Sequence, residues 1–93
     1  MPAKLVVEKI EDGKFRVTVS EARAAPPRVV TLRSNYYQKL TAGKITDEEL
    51  VRRSFEFLLA REPEESILTE FDLTVIARYF PEYEGEMKRK AGA

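Results

Sequence analysis

The stretch from Thr46 to Glu84, TDEELVRRSFEFLLAREPEESILTEFDLTVIARYFPEYE, decides the fold because it carries two helix starts, two prolines and most of the large apolar side chains. Thr46 is followed three residues later by Glu49, which is the spacing of a capping box at a helix N-terminus. This pattern predicts a helix from Asp47 to about Arg61. Its apolar residues cover a wide arc, so we expect this helix to lie at the centre of the core.

Two prolines, Pro63 and Pro81, divide the rest of the stretch. Proline disfavours helix at the residue before it and is tolerated at the first helical position. We therefore predict a short helix from Pro63 to about Thr69, and a last helix over residues 73–79 that Asp72 caps. Three apolar residues of this region are expected to face the core: Ile67, Leu68 and Phe71.

The N-terminal half is typical of β-structure. Two segments rich in β-branched residues, Leu5–Ile10 and Phe15–Val19, flank the dipeptide Asp12-Gly13, which favours a two-residue hairpin turn. A regular turn would place Ile10 opposite Phe15 and Val6 opposite Val19, all on the core side. After a proline-containing break, residues 28–32 predict a third strand at an edge of the sheet.

A short helix is expected between the third strand and the fold-deciding stretch. Ser34 is a suitable N-cap for residues 35–40, and Gly43 is suited to the position just past the helix end.

These elements predict an α+β fold: an N-terminal antiparallel hairpin extended to a three-stranded sheet, with one face covered by three to four C-terminal helices. Residues 1–84 are expected to form a single domain. Residues 85–93 are polar and are expected to be a disordered tail.

The net charge of zero hides an asymmetry between the two halves of the chain. Residues 1–45 contain nine basic and four acidic residues, a net charge of +5, and residues 46–93 contain seven and twelve, a net charge of −5. One interpretation is that the halves attract each other within the domain. The other is that a bipolar surface orients a partner.

The composition excludes several kinds of chemistry. The chain has no histidine and no cysteine, so it lacks the residues of Ser-His-Asp and Cys-His catalysis and of the usual structural zinc sites. We therefore predict no catalytic residues, no cofactor and no metal. Four carboxylates near the second proline turn are interpreted as a solvated surface: Glu62, Glu64, Glu65 and Glu70.

Two groups of residues are candidates for binding. An aromatic group brackets Pro81 and is a candidate partner contact: Tyr79, Phe80 and Tyr83. A basic group interleaved with tyrosines is a candidate nucleic-acid patch: Arg28, Arg33, Lys39 and Lys44. The zero net charge and the acidic second half argue against nucleic acid.

Part of the sequence resembles a group of short bacterial proteins of uncharacterised function. The resemblance covers roughly residues 36–84 and is carried by the run SFEFLLAREP at 54–63, by SIL at 66–68, by FDL at 71–73 and by RYFPEY at 78–83. It implies a bacterial origin and a small cytoplasmic protein. No catalytic or binding residues are carried over from it.

Three functions remain open. The first is a non-enzymatic protein-interaction or accessory module of a bacterial cytoplasm, present as a monomer or weak homodimer. The second is a small-ligand binder or enzyme that uses Glu, Arg and Tyr, and the third is a weak nucleic-acid binder through residues 28–44. The sequence contains no secretory signal and no apolar stretch of membrane length, so a cytoplasmic location without membrane contact is expected.

Overall fold

The computed structural model describes residues 4–20, 27–63 and 66–92, which form a four-stranded mixed sheet and four helices. This arrangement confirms the expected α+β class. The elements along the chain are β1 (Lys4–Glu11), β2 (Lys14–Ser20), β3 (Arg28–Thr31), α1 (Ser34–Thr41), α2 (Asp47–Leu59), β4 (Glu70–Asp72), α3 (Thr74–Tyr79) and α4 (Tyr83–Ala91). The strands lie in the order β1-β2-β3-β4.

The hairpin of β1 and β2 has the expected two-residue turn but not the expected register. Glu11 faces Lys14 as predicted, whereas Lys9 rather than Ile10 faces Phe15. Ile10 is therefore the extra residue of a β-bulge next to the turn.

This bulge reverses the faces of β1, because successive strand residues point to opposite sides of the sheet. Val19 faces Leu5 instead of Val6. Val6 and Ile10, which were predicted to be inside, are each 42% exposed on the open side of the sheet. The buried residues of the hairpin are Leu5, Phe15, Val17 and Val19.

The prediction that the third strand lies at an edge is wrong. β3 pairs antiparallel with β2 on one side and parallel with β4 on the other, with Val30 opposite Phe71. The sheet therefore has four strands where three were expected, and the short β4 lies at the edge next to β3.

The described residues of the segment before β4 do not form the predicted α-helix: Ser66 lies in a 3-10 turn, and residues 67–69 are irregular. Of the predicted helix over residues 63–69, residues 64 and 65 lie outside the described part. Elsewhere the backbone forms a turn, in which the amide of Ser66 donates to the Pro63 oxygen at 3.0 Å. The carbonyl of Thr69 accepts from the Val29 amide at 2.9 Å, so pairing with β3 replaces helical hydrogen bonding here.

The starts of α2 and α3 have the local side-chain hydrogen bonds that the sequence predicted. Oγ1 of Thr46 accepts from the amide of Glu49 at 3.1 Å and caps α2. Oδ1 of Asp72 accepts from the amide of Thr74 at 2.9 Å, at the start of α3. Ser34 is the first residue of α1 rather than its cap.

α2 lies against β1 and β2 and is central to the core, as predicted, although it ends at Leu59 and not at Arg61. Its buried apolar side chains belong to one cluster that also contains the inward side of the sheet. They are Leu50, Val51, Phe55, Phe57 and Leu58.

The expected disordered tail is replaced by a helix. Residues 83–91 form α4, which contacts α1, α2 and α3. Tyr83 is 0% exposed and Met87 is 1% exposed, so both belong to the core. Burial of these two side chains stabilises an otherwise polar helix against the domain.

Candidate interaction surface

The three aromatic residues around Pro81 have different environments. Tyr79 is 71% exposed. Phe80 is partly buried and packs edge-to-face on Phe57, with 5.7 Å between the ring centroids. Tyr83 is fully buried, so its assignment to a contact surface is wrong. The reason is that Tyr83 opens α4, whose inner side packs on α2.

The four basic residues of the candidate nucleic-acid patch have four different partners. Arg28 is buried, and its Nη2 donates to the Ile67 oxygen at 3.4 Å. The other three make separate contacts, which are Arg33 with Asp72 at 3.3 Å, Lys39 with Glu84 at 3.2 Å and Lys44 Nζ with the Gly92 oxygen at 2.7 Å. Each contact engages the C-terminal half of the chain, and the side chains of Arg33 and Lys39 stay 74% and 53% exposed.

These contacts also bear on the charge asymmetry. A further pair, Lys9 with Asp47 at 3.3 Å, again joins a basic N-terminal residue to an acidic C-terminal one. The pattern favours attraction between the two halves within the domain. Each pair is exposed at one or both side chains, so each contributes little alone.

The carboxylates near Pro63 do not assemble into a metal site in the described part of the chain. Glu64 and Glu65 lie outside that part, and Glu70 is exposed at the edge strand. The described residues contain no group of three acidic side chains that could hold a metal ion.

A polar cavity of about 540 Å³ lies between the hairpin turn and the start of α1. Its charged lining is balanced, with three basic and three acidic side chains: Lys9, Lys14, Arg33, Glu11, Asp12 and Asp47. Lys9 pairs with Asp47, and Lys14 lies 3.7 Å from Glu11. The described charged residues that line this cavity therefore carry no net charge.

An apolar groove of about 280 Å³ lies at the C-terminal side of the domain, between the end of α2, the turn before β4 and α3. We call it the C-terminal groove. Three buried side chains form its floor: Leu58, Ile67 and Ile76. Leu68 and Tyr79 stand at its rim and are 51% and 71% exposed.

Among the described residues that line the groove, Glu62 is the one that carries a charge, and it is partly exposed. Glu62 directly follows the last turn of α2, where its amide donates to the Leu58 oxygen at 2.9 Å. Tyr79 reaches the groove from α3, whose residues 75, 76 and 79 share the facing side. The groove therefore combines a floor of buried apolar side chains, an exposed apolar rim and the carboxylate of Glu62.

The sequence pointed to only part of this surface. Tyr79 was a candidate because it belongs to the aromatic group that brackets Pro81. Leu68 was missed because the predicted helix placed both Ile67 and Leu68 inside. In the turn that forms instead, Ile67 is 4% exposed and Leu68 is 51% exposed.

Comparison of the chain with protein-family models, with curated proteins and with solved structures gave no match. Within the described residues, none of the helices has the length and apolar character needed to cross a membrane.

Proposed function

We propose that this protein is a non-enzymatic protein-interaction module that binds its partner through the C-terminal groove. The observation that carries the proposal is the exposure of Leu68 and Tyr79 above a buried apolar floor. A bacterial cytoplasmic setting, implied by the sequence resemblance, belongs to the same proposal.

The physical support comes from the cost of exposed apolar surface. Contact of apolar side chains with water is unfavourable, and contiguous apolar patches on a folded protein commonly mark binding sites. Tyrosine is enriched in the cores of protein interfaces because its large ring loses little conformational freedom on binding. Leu68 and Tyr79 are both exposed side chains of one apolar groove, and Tyr79 supplies the tyrosine ring.

The non-enzymatic part of the proposal is supported by the residue types in the chain. With no histidine and no cysteine, the chain lacks the side chains that most often act as general base or nucleophile near neutral pH.

Affinity purification from the native host with quantitative mass spectrometry tests the proposal. Wild-type protein is compared with the groove variant Leu68→Ser/Tyr79→Ala and with the control Ile10→Ser, which changes a 42%-exposed apolar residue on the open side of the sheet. We expect a stoichiometric partner with the wild type and the control, and its loss with the groove variant. Recovery of the protein alone, or equal recovery with all three proteins, would contradict the proposal.

A further inference from the structure

Of the described residues that line the C-terminal groove, Glu62 alone is charged, and no other described residue neutralises its carboxylate. Its side chain forms no hydrogen bond and no ion pair with the described residues. A carboxylate on an otherwise apolar surface loses hydration when that surface is covered, unless the covering group supplies a cation or a donor.

Arg61, the cation adjacent to Glu62 in sequence, is held by other groups. The guanidinium carbon of Arg61 lies 3.6 Å from the centroid of the Phe57 ring, in a cation–π contact. Its Nε pairs with Glu82 at 3.2 Å, and its Nη2 lies 4.0 Å from Glu86. Arg61 is thus directed to α4 and leaves the charge of Glu62 for a group from outside.

We infer that the segment bound in the C-terminal groove is a peptide of a partner protein that is apolar and carries one Lys or Arg to pair with Glu62. The inference rests on the proposed function and specifies the chemistry of the partner. Apolar side chains of the segment cover the floor at Ile67 and Ile76, and its cation meets the carboxylate. An acidic segment is excluded by repulsion from Glu62.

The size and openness of the groove favour a peptide over a free small molecule. Pockets for small ligands usually measure roughly 300–1,000 Å³ and bury most of the ligand. The groove, at about 280 Å³, is smaller, and its rim at Leu68 and Tyr79 is open to water. It has room for a few side chains while the rest of the peptide stays at the rim.

The exposed ring of Tyr79 adds a second contact for the same cation or its aliphatic stem. Tyrosine attracts Lys and Arg over the face of its ring, and the stems of these residues pack well on apolar surface.

Selection of random peptides displayed on phage against the immobilised full chain tests the inference. The affinities of selected peptides are then measured for wild type, for Glu62→Gln and for the control Glu56→Gln, an exposed acid of α2 outside the groove. We expect apolar peptides with one Lys or Arg that lose affinity roughly tenfold or more with Glu62→Gln, as for a charge-assisted hydrogen bond. Glu56→Gln should leave the affinity unchanged.

The readouts separate failure of the inference from failure of the proposed function. Peptides that require Leu68 and Tyr79 but lack a cation and ignore Glu62→Gln overturn the inference and leave the proposed function standing. A set of peptides in which none depends on the groove overturns both. A dimer in light scattering that Leu68→Ser/Tyr79→Ala dissociates makes a second copy of the chain the occupant, and also overturns the inference.

Discussion

The hydroxyl of Tyr83 lies 2.6 Å from Oγ of Ser54 and joins α4 to α2 inside the core. Oγ of Ser54 lies 2.7 Å from the backbone oxygen of Leu50, to which it donates its single proton. Tyr83 is therefore the donor and Ser54 the acceptor. Burial raises the pKa of Tyr83 above its ordinary value of 10.0, so the phenol keeps its proton at neutral pH.

Removal of the acceptor should cost more than removal of the donor. Ser54→Ala leaves a buried phenol without an acceptor and should lower the free energy of unfolding by about 1–3 kcal/mol. Tyr83→Phe leaves Ser54 bonded to Leu50 and should cost only about 0.5–1.5 kcal/mol. Urea unfolding of the single and double variants measures both effects. The double variant should lose less than the sum, because neither group remains unpaired, whereas strict additivity would contradict this account.

Glu84 should make part of the stability depend on acid pH. A hydrogen bond from the Tyr36 hydroxyl at 2.9 Å, and after it the contact with Lys39, lower the pKa of Glu84 from its ordinary value of 4.5. A carboxyl group with a lowered folded-state pKa stabilises the protein above its unfolded-state value. That contribution is lost as the pH falls through the folded-state pKa.

Glu84→Gln should therefore lower stability at pH 7 and flatten the decline of unfolding free energy below pH 4.5. Denaturant titrations at a series of pH values measure this slope. Glu56→Gln, which removes an exposed acid outside these contacts, is the matched control. Parallel pH profiles for wild type and Glu84→Gln would rule the account out.

Two glycine substitutions should have opposite signs. Gly13 in the hairpin turn has a φ of +78°, and an added Cβ would lie 3.4 Å from the Leu32 oxygen, so Gly13→Ala should destabilise by about 1–2 kcal/mol. Gly85 lies inside α4 with open space around it, so Gly85→Ala should stabilise by about 0.5–1 kcal/mol. Melting temperatures and urea midpoints provide the test. Destabilisation by Gly85→Ala would argue against α4 as described.

Deletion of Ile10 should preserve the sheet. Without Ile10, Lys9 directly precedes Glu11. Their present partners on β2, Phe15 and Lys14, are also adjacent, so the two strands can pair without a bulge. We expect circular dichroism close to that of the wild type and a stability change of about 1 kcal/mol or less.

Deletion of Arg16, which is also exposed, is the control. It shifts the following part of β2 by one residue and turns Val17 and Val19 away from the core. Because each buried valine contributes about 1.5 kcal/mol or more, we expect severe destabilisation. Equal effects of the two deletions would show that Ile10 is not a bulge.

Features that depend on neighbouring residues could be predicted from the sequence. The Thr46 cap and the two-residue hairpin turn need only a few adjacent residues, and both are present. β4 has three residues and exists because β3, about forty residues earlier, offers it a parallel partner. The bulge at Ile10 depends likewise on which hairpin face α2 covers, and no local pattern encodes that.

The candidate site likewise has one part that could be predicted from the sequence and one part that could not. Tyr79 could be selected because it lies two residues before a proline. The rest of the groove could not, because the exposure of Leu68 accompanies the pairing of the next residue, Thr69, with β3, which lies far away in sequence. Tyr83 was misjudged because its helix is polar overall, and only three apolar side chains, those of Tyr83, Met87 and Ala91, are buried against the core.

The late position of α4 in the chain has a consequence for biosynthesis. The rings of Tyr83 and Phe57 are in contact, with 5.3 Å between their centroids, and Phe57 is synthesised well before Tyr83. Until residues 83–91 leave the ribosome, Phe57 lacks its contact with Tyr83, and the nascent chain exposes apolar surface of the kind that chaperones recognise. The aromatic packing on α2 is therefore complete only after α4 has been synthesised.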